Sequence, residues 1–210
     1  IAEHRPTVVL ITTPNNPTGT TVPLEVFNQV CANTDAIVVA DEAYQEFSSR
    51  PSALDLIDKH PRLVVSRTMS KAFALAGGRL GYLAAASAIV DACRIVRLPY
   101  HLSAQTQAVA RVALAHADEL LAQVRALTAE ARGFEEWARG NGYAVIDSEA
   151  NFSLIGRFPD RHQVWQQLLD RGILIRETGP AGFLRVSAGT PEEMATLKEA
   201  LTDLDPERHP

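Results

Sequence analysis

Thr7-Val8-Val9-Leu10-Ile11-Thr12-Thr13-Pro14-Asn15-Asn16-Pro17-Thr18-Gly19 sets the architecture of this chain. A short, continuous, β-branched run is what a strand buried on both faces of a parallel sheet requires, and here it ends in a polar turn. The same arrangement occurs twice more. Ala36-Ile37-Val38-Val39-Ala40 leads into Asp41-Glu42-Ala43-Tyr44, and Leu63-Val64-Val65 leads, through Ser66 and Arg67, into Thr68-Met69-Ser70-Lys71. In each case the polar groups follow the run, which puts them at the carboxyl edge of an open α/β sheet, where ligands of such folds bind.

Further along, Leu80-Gly81-Tyr82-Leu83 reads as another strand and Ile89 to Val96 as a helix. From Ser103 to about Arg139, apolar residues such as Val109, Val112, Leu120, Leu121, Val124, Leu127, Phe134 and Trp137 recur near helical spacing. That spacing predicts one long helix, ended by Gly140-Asn141-Gly142. Tyr143 to Ile146, Phe152 to Ile155, Ile173 to Arg176 and Leu184 to Ser187 read as strands, with helices near Arg161 to Arg171 and Pro191 to Leu204. Thr190-Pro191-Glu192-Glu193 has the form of a capping box with proline at the first helical position. The pattern is a larger and a smaller α/β lobe with a helical connection.

The residues at the first lobe's edge form a coherent chemical set. Lys71 offers an amine, Asp41 an acid, Tyr44 and Asn16 neutral donors, Thr68 and Ser70 hydroxyls, and Arg79, eight residues past the lysine, a guanidinium. Pyridoxal phosphate, with its aldehyde, pyridine nitrogen, phenolate oxygen and phosphate, needs this set. Lys71 would join the aldehyde carbon and act as the base that moves a proton. Asp41 would pair with the ring nitrogen, Tyr44 and Asn16 would donate to the phenolate, and Thr68, Ser70 and Arg79 would hold the phosphate.

Each residue also has an ordinary structural role. Asn16-Pro17-Thr18-Gly19 is a common turn composition, Asp41 suits a helix cap, and a single lysine after a strand is normally solvated. Thr68-x-x-Lys71 has a faint likeness to the Ser-x-x-Lys nucleophile of penicillin-binding enzymes, but threonine replaces serine and no Lys-Thr-Gly occurs. Joint order and spacing select the cofactor reading.

Ser66-Arg67-Thr68-Met69-Ser70-Lys71-Ala72-Phe73-Ala74-Leu75-Ala76-Gly77-Gly78-Arg79-Leu80-Gly81-Tyr82 resembles the lysine segment of the fold-type I PLP-dependent aminotransferases, and most closely that of the histidinol-phosphate aminotransferases. The likeness continues through Arg97-Leu98-Pro99-Tyr100, Ala150-Asn151-Phe152, Gly172-Ile173-Leu174-Ile175-Arg176 and Leu184 to Thr190, essentially the whole chain. The resemblance implies an α/β fold in which residues 1–102 are the remaining part of the large, mostly parallel-sheet domain. Residues 103–140 are then a helical connection and 141–210 a small C-terminal α/β domain.

The same resemblance implies transamination of L-histidinol phosphate with 2-oxoglutarate, as in histidine biosynthesis, by a homodimer. Arg185 would grip the substrate's anionic group, and Arg176 would be a second basic contact for a phosphorylated substrate. On spacing alone, both arginines also fit edge-strand positions in solvent. Relatives commonly carry asparagine after Pro-Tyr or Pro-Phe, where this chain has His101, so position 101 is given no role. Alternatives on nearly the same constellation are an aromatic amino acid aminotransferase and a threonine-phosphate decarboxylase. A third is a folded remnant without activity. In the family a substantial segment precedes the position of Ile1, so the chain is expected to be the carboxyl-terminal part of such an enzyme, inactive by itself, with apolar sheet edges and faces exposed.

Composition fits a cytoplasmic enzyme of small molecules. Net charge is −5 with 21% charged residues and no basic cluster, which argues against nucleic acid and anionic membranes as partners. The two cysteines, Cys31 and Cys93, have neither disulfide nor metal spacing, and the six histidines are scattered, so no metal site is expected.

Overall fold

The three apolar runs form parallel strands in sequence order: β1 (Val8–Thr12), then after helix α1 (Leu24–Ala32) β2 (Ile37–Asp41), then β3 (Leu63–Thr68). A fourth strand, β4 (Gly81–Ala85), returns antiparallel to β3, giving the sheet order β1-β2-β3-β4. Gly81 is required at the start of β4, because a Cβ there would lie 2.7 Å from the Arg67 carbonyl oxygen. Two turns of 3₁₀ helix, Gln45–Phe47 and Ala53–Leu56, fill the β2–β3 connection. Phe27, Val38, Ala40, Ala53, Leu63 and Val65 make this sheet's core.

Helices α2 (Ser87–Val96), α3 (Ala104–Ala115) and α4 (Ala117–Gly140) follow. Antiparallel β5 (Ala144–Ile146), β6 (Phe152–Gly156) and β7 (Leu184–Ser187) form a second sheet, with α5 (Arg161–Asp170) between β6 and β7 and α6 (Pro191–Leu204) at the end. Its core joins Phe134 and Ala138 of α4 to Leu168, Leu184, Val186, Leu197 and Leu201. Each such fully buried large side chain contributes about 1.5–3 kcal/mol relative to exposure. The capping box is present: Thr190 N–H donates to Glu193 Oε2 at 2.8 Å, and Glu193 N–H donates to Thr190 Oγ1 at 3.3 Å.

The computed structural model describes residues 1–204. It divides into two units, the first made of residues 1–14 and 21–122, the second of 15–20 and 123 onward. The Asn16 turn therefore clusters with the second unit.

Three expectations need correction. The long helix is two helices, because the chain leaves helical geometry at His116 (φ −105, ψ 26) before α4 begins. Ile173 to Arg176 is no strand: only Arg176 pairs, in an isolated antiparallel bridge with Arg185, while Ile175 fills the core and Leu174 faces solvent. Burial on both faces holds for β3, whose Leu63, Val64 and Val65 are all inaccessible, but not for β1. Leu10 is 74% exposed, since β1 is an edge strand and α1 covers only its other face.

A buried charge in the second unit gives a pH signature. Glu135 on α4 is almost inaccessible and accepts from Ser153 Oγ at 2.6 Å, with Arg139 Nη2 at 3.5 Å. Burial pushes its carboxyl above the usual range, against the pull of the Ser153 hydroxyl and of Arg139. A group whose folded value is raised favours the fold while protonated, and that contribution is lost as pH rises through the folded value. Glu135→Gln keeps an acceptor for Ser153 and removes the ionisation. Its Tm should exceed the parent's at pH 8, with the difference closing near pH 4, below the unfolded carboxyl's value of about 4.3. A Tm difference independent of pH would count against the burial assignment.

Candidate active site

The parallel strands end side by side, and the backbone register fixes which residues meet there. Thr12 pairs with Asp41, and Asp41 with Ser66. Asp41, the last residue of β2, is half-buried, and Ser66 Oγ lies 3.5 Å from its Oδ1. The chain then turns, with Gln45 N–H on Glu42 O at 3.2 Å, and places Tyr44 inside the fold. No helix starts at Glu42, so Asp41 is not a helix cap.

Beyond β3 the loop closes on itself. Met69 N–H donates to Leu80 O and Leu75 N–H to Met69 O, both at 3.0 Å, while Met69 and Ala72 are buried as anchors. Lys71, between the anchors, stays exposed, and its Nζ lies 5.5 Å from the centroid of the Tyr44 ring. Thr68 Oγ1 donates to Ser70 Oγ at 2.9 Å and accepts from Ser70 N–H at 3.1 Å, so the two hydroxyls are linked and the Ser70 hydroxyl keeps its proton to donate. Arg79 is exposed, with Nη1 on Ala76 O at 3.2 Å, and it holds a left-handed backbone (φ 48). A side chain in that region costs roughly 1–3 kcal/mol, the kind of strain that collects at working sites.

Arg185, Asn16 and Arg176 lie in the second unit. Asn15 to Gly19 is tied there by Glu149 N–H donating to Gly19 O at 2.9 Å, and a Cβ on Gly19 (φ +74) would collide with Ser148. Arg185 Nη1 donates to Asn16 Oδ1, which leaves Asn16 Nδ2 as that residue's donor. The guanidinium carbon sits 4.8 Å from the centroid of the Phe152 ring, and Arg185 Nε is buried without a hydrogen-bond partner among the described residues. A buried, unsatisfied cationic donor is costly unless an acceptor arrives. Arg176 exchanges backbone bonds with Arg185 at 3.0 and 2.8 Å. Asn16, Trp165, Arg176, Glu177 and Arg185 line a cleft of about 500 Å³.

Sequence reasoning missed one charged group here. Glu42 is 1% exposed and takes bonds from Arg67, Ser52 and the Ala53 amide. Its position directly after Asp41, with Arg67 directly before Thr68, was the available signal. Among the described residues no cluster of His, Cys, Asp or Glu could hold a metal ion, and no helix is long and apolar enough to cross a membrane.

The first unit's donor set of amine, carboxylate, phenol, hydroxyl pair and guanidinium fits a small molecule carrying an aldehyde, a basic ring nitrogen and a phosphate. Comparison with known proteins agrees with that chemistry. The model of the family described as aminotransferase class I and II matches residues 1–201. The histidinol-phosphate aminotransferase of Thermobifida fusca is 58% identical over 203 residues, 96% of this chain and 55% of that protein. That of Streptomyces avermitilis is 56% identical over 213 residues, 100% of this chain and 58% of that protein. Among solved structures, a histidinol-phosphate aminotransferase from Sinorhizobium meliloti in complex with pyridoxal-5′-phosphate superposes with a TM-score of 0.83 at 27% identity, over 98% of this chain and 59% of that one. The chain spans about half the length of the curated relatives it matches. Family match, sheet topology and edge chemistry converge: the chain belongs to the class I and II aminotransferases.

Proposed function

We propose that this chain carries the lysine half of a pyridoxal phosphate enzyme that moves an amino group between L-histidinol phosphate and 2-oxoglutarate. The observation that carries the reading is Lys71 Nζ over the Tyr44 ring, on the loop that follows β3, beside the strand that ends in Asp41. Identity of 58% and 56% to relatives named for histidinol phosphate supports that substrate over an aromatic amino acid or threonine phosphate.

Bound pyridoxal phosphate would supply an aldehyde carbon and an electron-withdrawing ring. Lys71 Nζ would take and return the proton at the substrate's α-carbon. Asp41 would hold a proton on the ring nitrogen through a charged hydrogen bond, and the phenolate oxygen would be the acceptor for which Tyr44 Oη and Asn16 Nδ2 are proposed as donors. The Thr68 and Ser70 hydroxyls and the Arg79 fork would hold the phosphate. Arg185, with Nε unpartnered, binds the substrate's anionic group, and Arg176 adds positive charge in the same cleft.

Residues 1–102, 103–140 and 141–210 correspond in this reading to large-domain part, connection and small domain. Pairing of two copies is part of the proposal, supported by the apolar strip of Ile95, Val96, Leu98 and Tyr100, at least 75% exposed throughout.

A substrate panel on the intact, cofactor-loaded enzyme that contains this chain tests the assignment. Histidinol phosphate should outperform phenylalanine and threonine phosphate in kcat/KM, and equal or reversed preference would discard it. Arg185→Ala should raise the KM of both histidinol phosphate and 2-oxoglutarate roughly 10- to 100-fold, the worth of a charged hydrogen bond of about 1.5–3 kcal/mol. A change confined to one substrate would disprove the shared role.

A further inference from the structure

A buried carboxylate of the first unit with hydrogen bonds to both oxygens lies one residue away from the proposed cofactor contacts. Glu42 Oε2 accepts from Arg67 Nε at 3.1 Å and Nη2 at 2.8 Å; Ser52 Oγ reaches both oxygens, at 3.0 and 2.7 Å, and the Ala53 amide donates to Oε1 at 2.6 Å. Arg67 Nη2 also donates to Ser52 Oγ at 3.0 Å, and Nη1 lies 3.6 Å from Glu46 Oε1. The side chains of Glu42 and Arg67 are 1% and 16% exposed. This network spans the ends of β2 and β3 and the start of the 3₁₀ turn Ala53–Leu56, and Glu46 Oε2 at its rim is buried without a hydrogen-bond partner among the described residues.

Stability alone does not account for it. A buried ion pair recovers its desolvation cost poorly, and apolar residues of similar volume in its place are often neutral or stabilising. What such a pair does well is define one geometry, since the guanidinium fork and the carboxylate fit in a single arrangement. Neighbouring strand residues point to opposite faces, so Arg67 and Thr68 face away from each other, and fixing one fixes the direction of the other. Glu42 N–H donates to Ser66 O at 2.9 Å and Ser66 Oγ lies 3.5 Å from Asp41, so the same residues tie the Asp41 end to β3.

We propose that Glu42, Arg67 and Ser52 are positioning residues: a latch behind the sheet edge that holds the strand ends of Asp41 and Thr68 in one register, so that the ring-nitrogen acid and the phosphate hydroxyls address the cofactor together. This rests on the pyridoxal phosphate reading above. None of the three touches the cofactor; each acts through its chain neighbour. A displacement of about 1 Å in such groups can cost on the order of 100-fold in rate, so a loosened latch should register in cofactor binding before it registers in folding.

The test compares the parent with Glu42→Met/Arg67→Met and with Ser52→Ala, measuring Tm without cofactor, the dissociation constant for pyridoxal phosphate and the induced circular dichroism of the bound cofactor. The double variant replaces the pair by apolar residues of similar length and should keep its Tm within a few degrees. Its pyridoxal phosphate affinity should nevertheless fall at least tenfold, with weakened induced dichroism. Ser52→Ala, which removes one hydroxyl and is the milder change, should lower affinity about threefold or more; it carries the test if the double variant does not fold. Affinity and dichroism equal to the parent's in the variants that fold would overturn the latch and leave the cofactor reading standing. A parent that binds no pyridoxal phosphate would overturn the cofactor reading itself.

Discussion

In the intact, cofactor-loaded enzyme that contains this chain, Lys71→Ala is expected to abolish turnover, and borohydride treatment with pyridoxal phosphate, expected to label Lys71 in the parent, should label no peptide at that position in the variant. Two separate roles end in one atom. As a proton carrier, a positioned side chain contributes roughly 10²–10⁴-fold, and the lysine's covalent role comes on top, so the combined loss exceeds what a surface lysine can cause. The local structure is built to present this amine. Met69 and Ala72 are buried on either side, the Leu75 amide closes onto Met69, and Lys71 alone of the four residues 69–72 is both exposed and long. Its Nζ over the Tyr44 ring gains a contact of about 0.5–1 kcal/mol, which biases the side chain towards the phenol rather than open solvent. Peptide mapping that finds the label on Lys59 or Lys198 would sink the assignment.

Asp41→Asn is expected to slow the same reaction by several orders of magnitude while pyridoxal phosphate remains bound. Carboxamide and carboxylate are nearly isosteric, so the β2 end and its backbone bond to Thr13 persist, and the proposed phosphate contacts would still hold the cofactor. What would disappear is the negative charge proposed to keep a proton on the ring nitrogen, and preorganised charge of this kind is commonly the largest single contribution to catalysis. A loss under about tenfold, worth roughly 1.4 kcal/mol, would reduce Asp41 to a strand-end residue. Glu42→Gln is not an equivalent control, because it leaves Arg67 buried beside a neutral partner.

Much of the site was legible because a parallel sheet puts successive strand ends on one edge, so order along the chain becomes proximity. Three apolar runs, each followed by polar residues, were enough to put Asp41 and Thr68 to Lys71 on one sheet edge, where the register pairs Asp41 with Ser66. Direction and termination were less visible. Leu80 to Leu83 alternates identically whether its strand runs parallel or antiparallel, and it pairs antiparallel with β3. Ile173 to Arg176 has a strand's composition, yet only one residue finds a partner, because its apolar side chains serve the core of the second unit instead of a ladder. Helical periodicity runs through 116 without a proline or glycine to mark the break. The Glu42–Arg67 pair spans 25 residues and depends on β2–β3 register, which no local pattern encodes. Arg185 meeting Asn16 across 169 residues is the extreme case; only the resemblance pointed to that arginine.

The assignment of the Asn16 turn to the second unit has a further consequence, in chain connectivity. The polypeptide passes between units at residues 14–15, 20–21 and 122–123, three covalent crossings where a pair of sequential domains would have one. No contiguous piece of chain therefore consists of the second unit alone, and excising residues 123 onward would leave Arg185 without the asparagine that accepts its hydrogen bond. A single proteolytic nick at any one crossing leaves two links intact. Contacts such as Glu149 to Gly19 also raise the contact order of this unit, and high contact order slows folding, because distant segments must meet before their bonds can form.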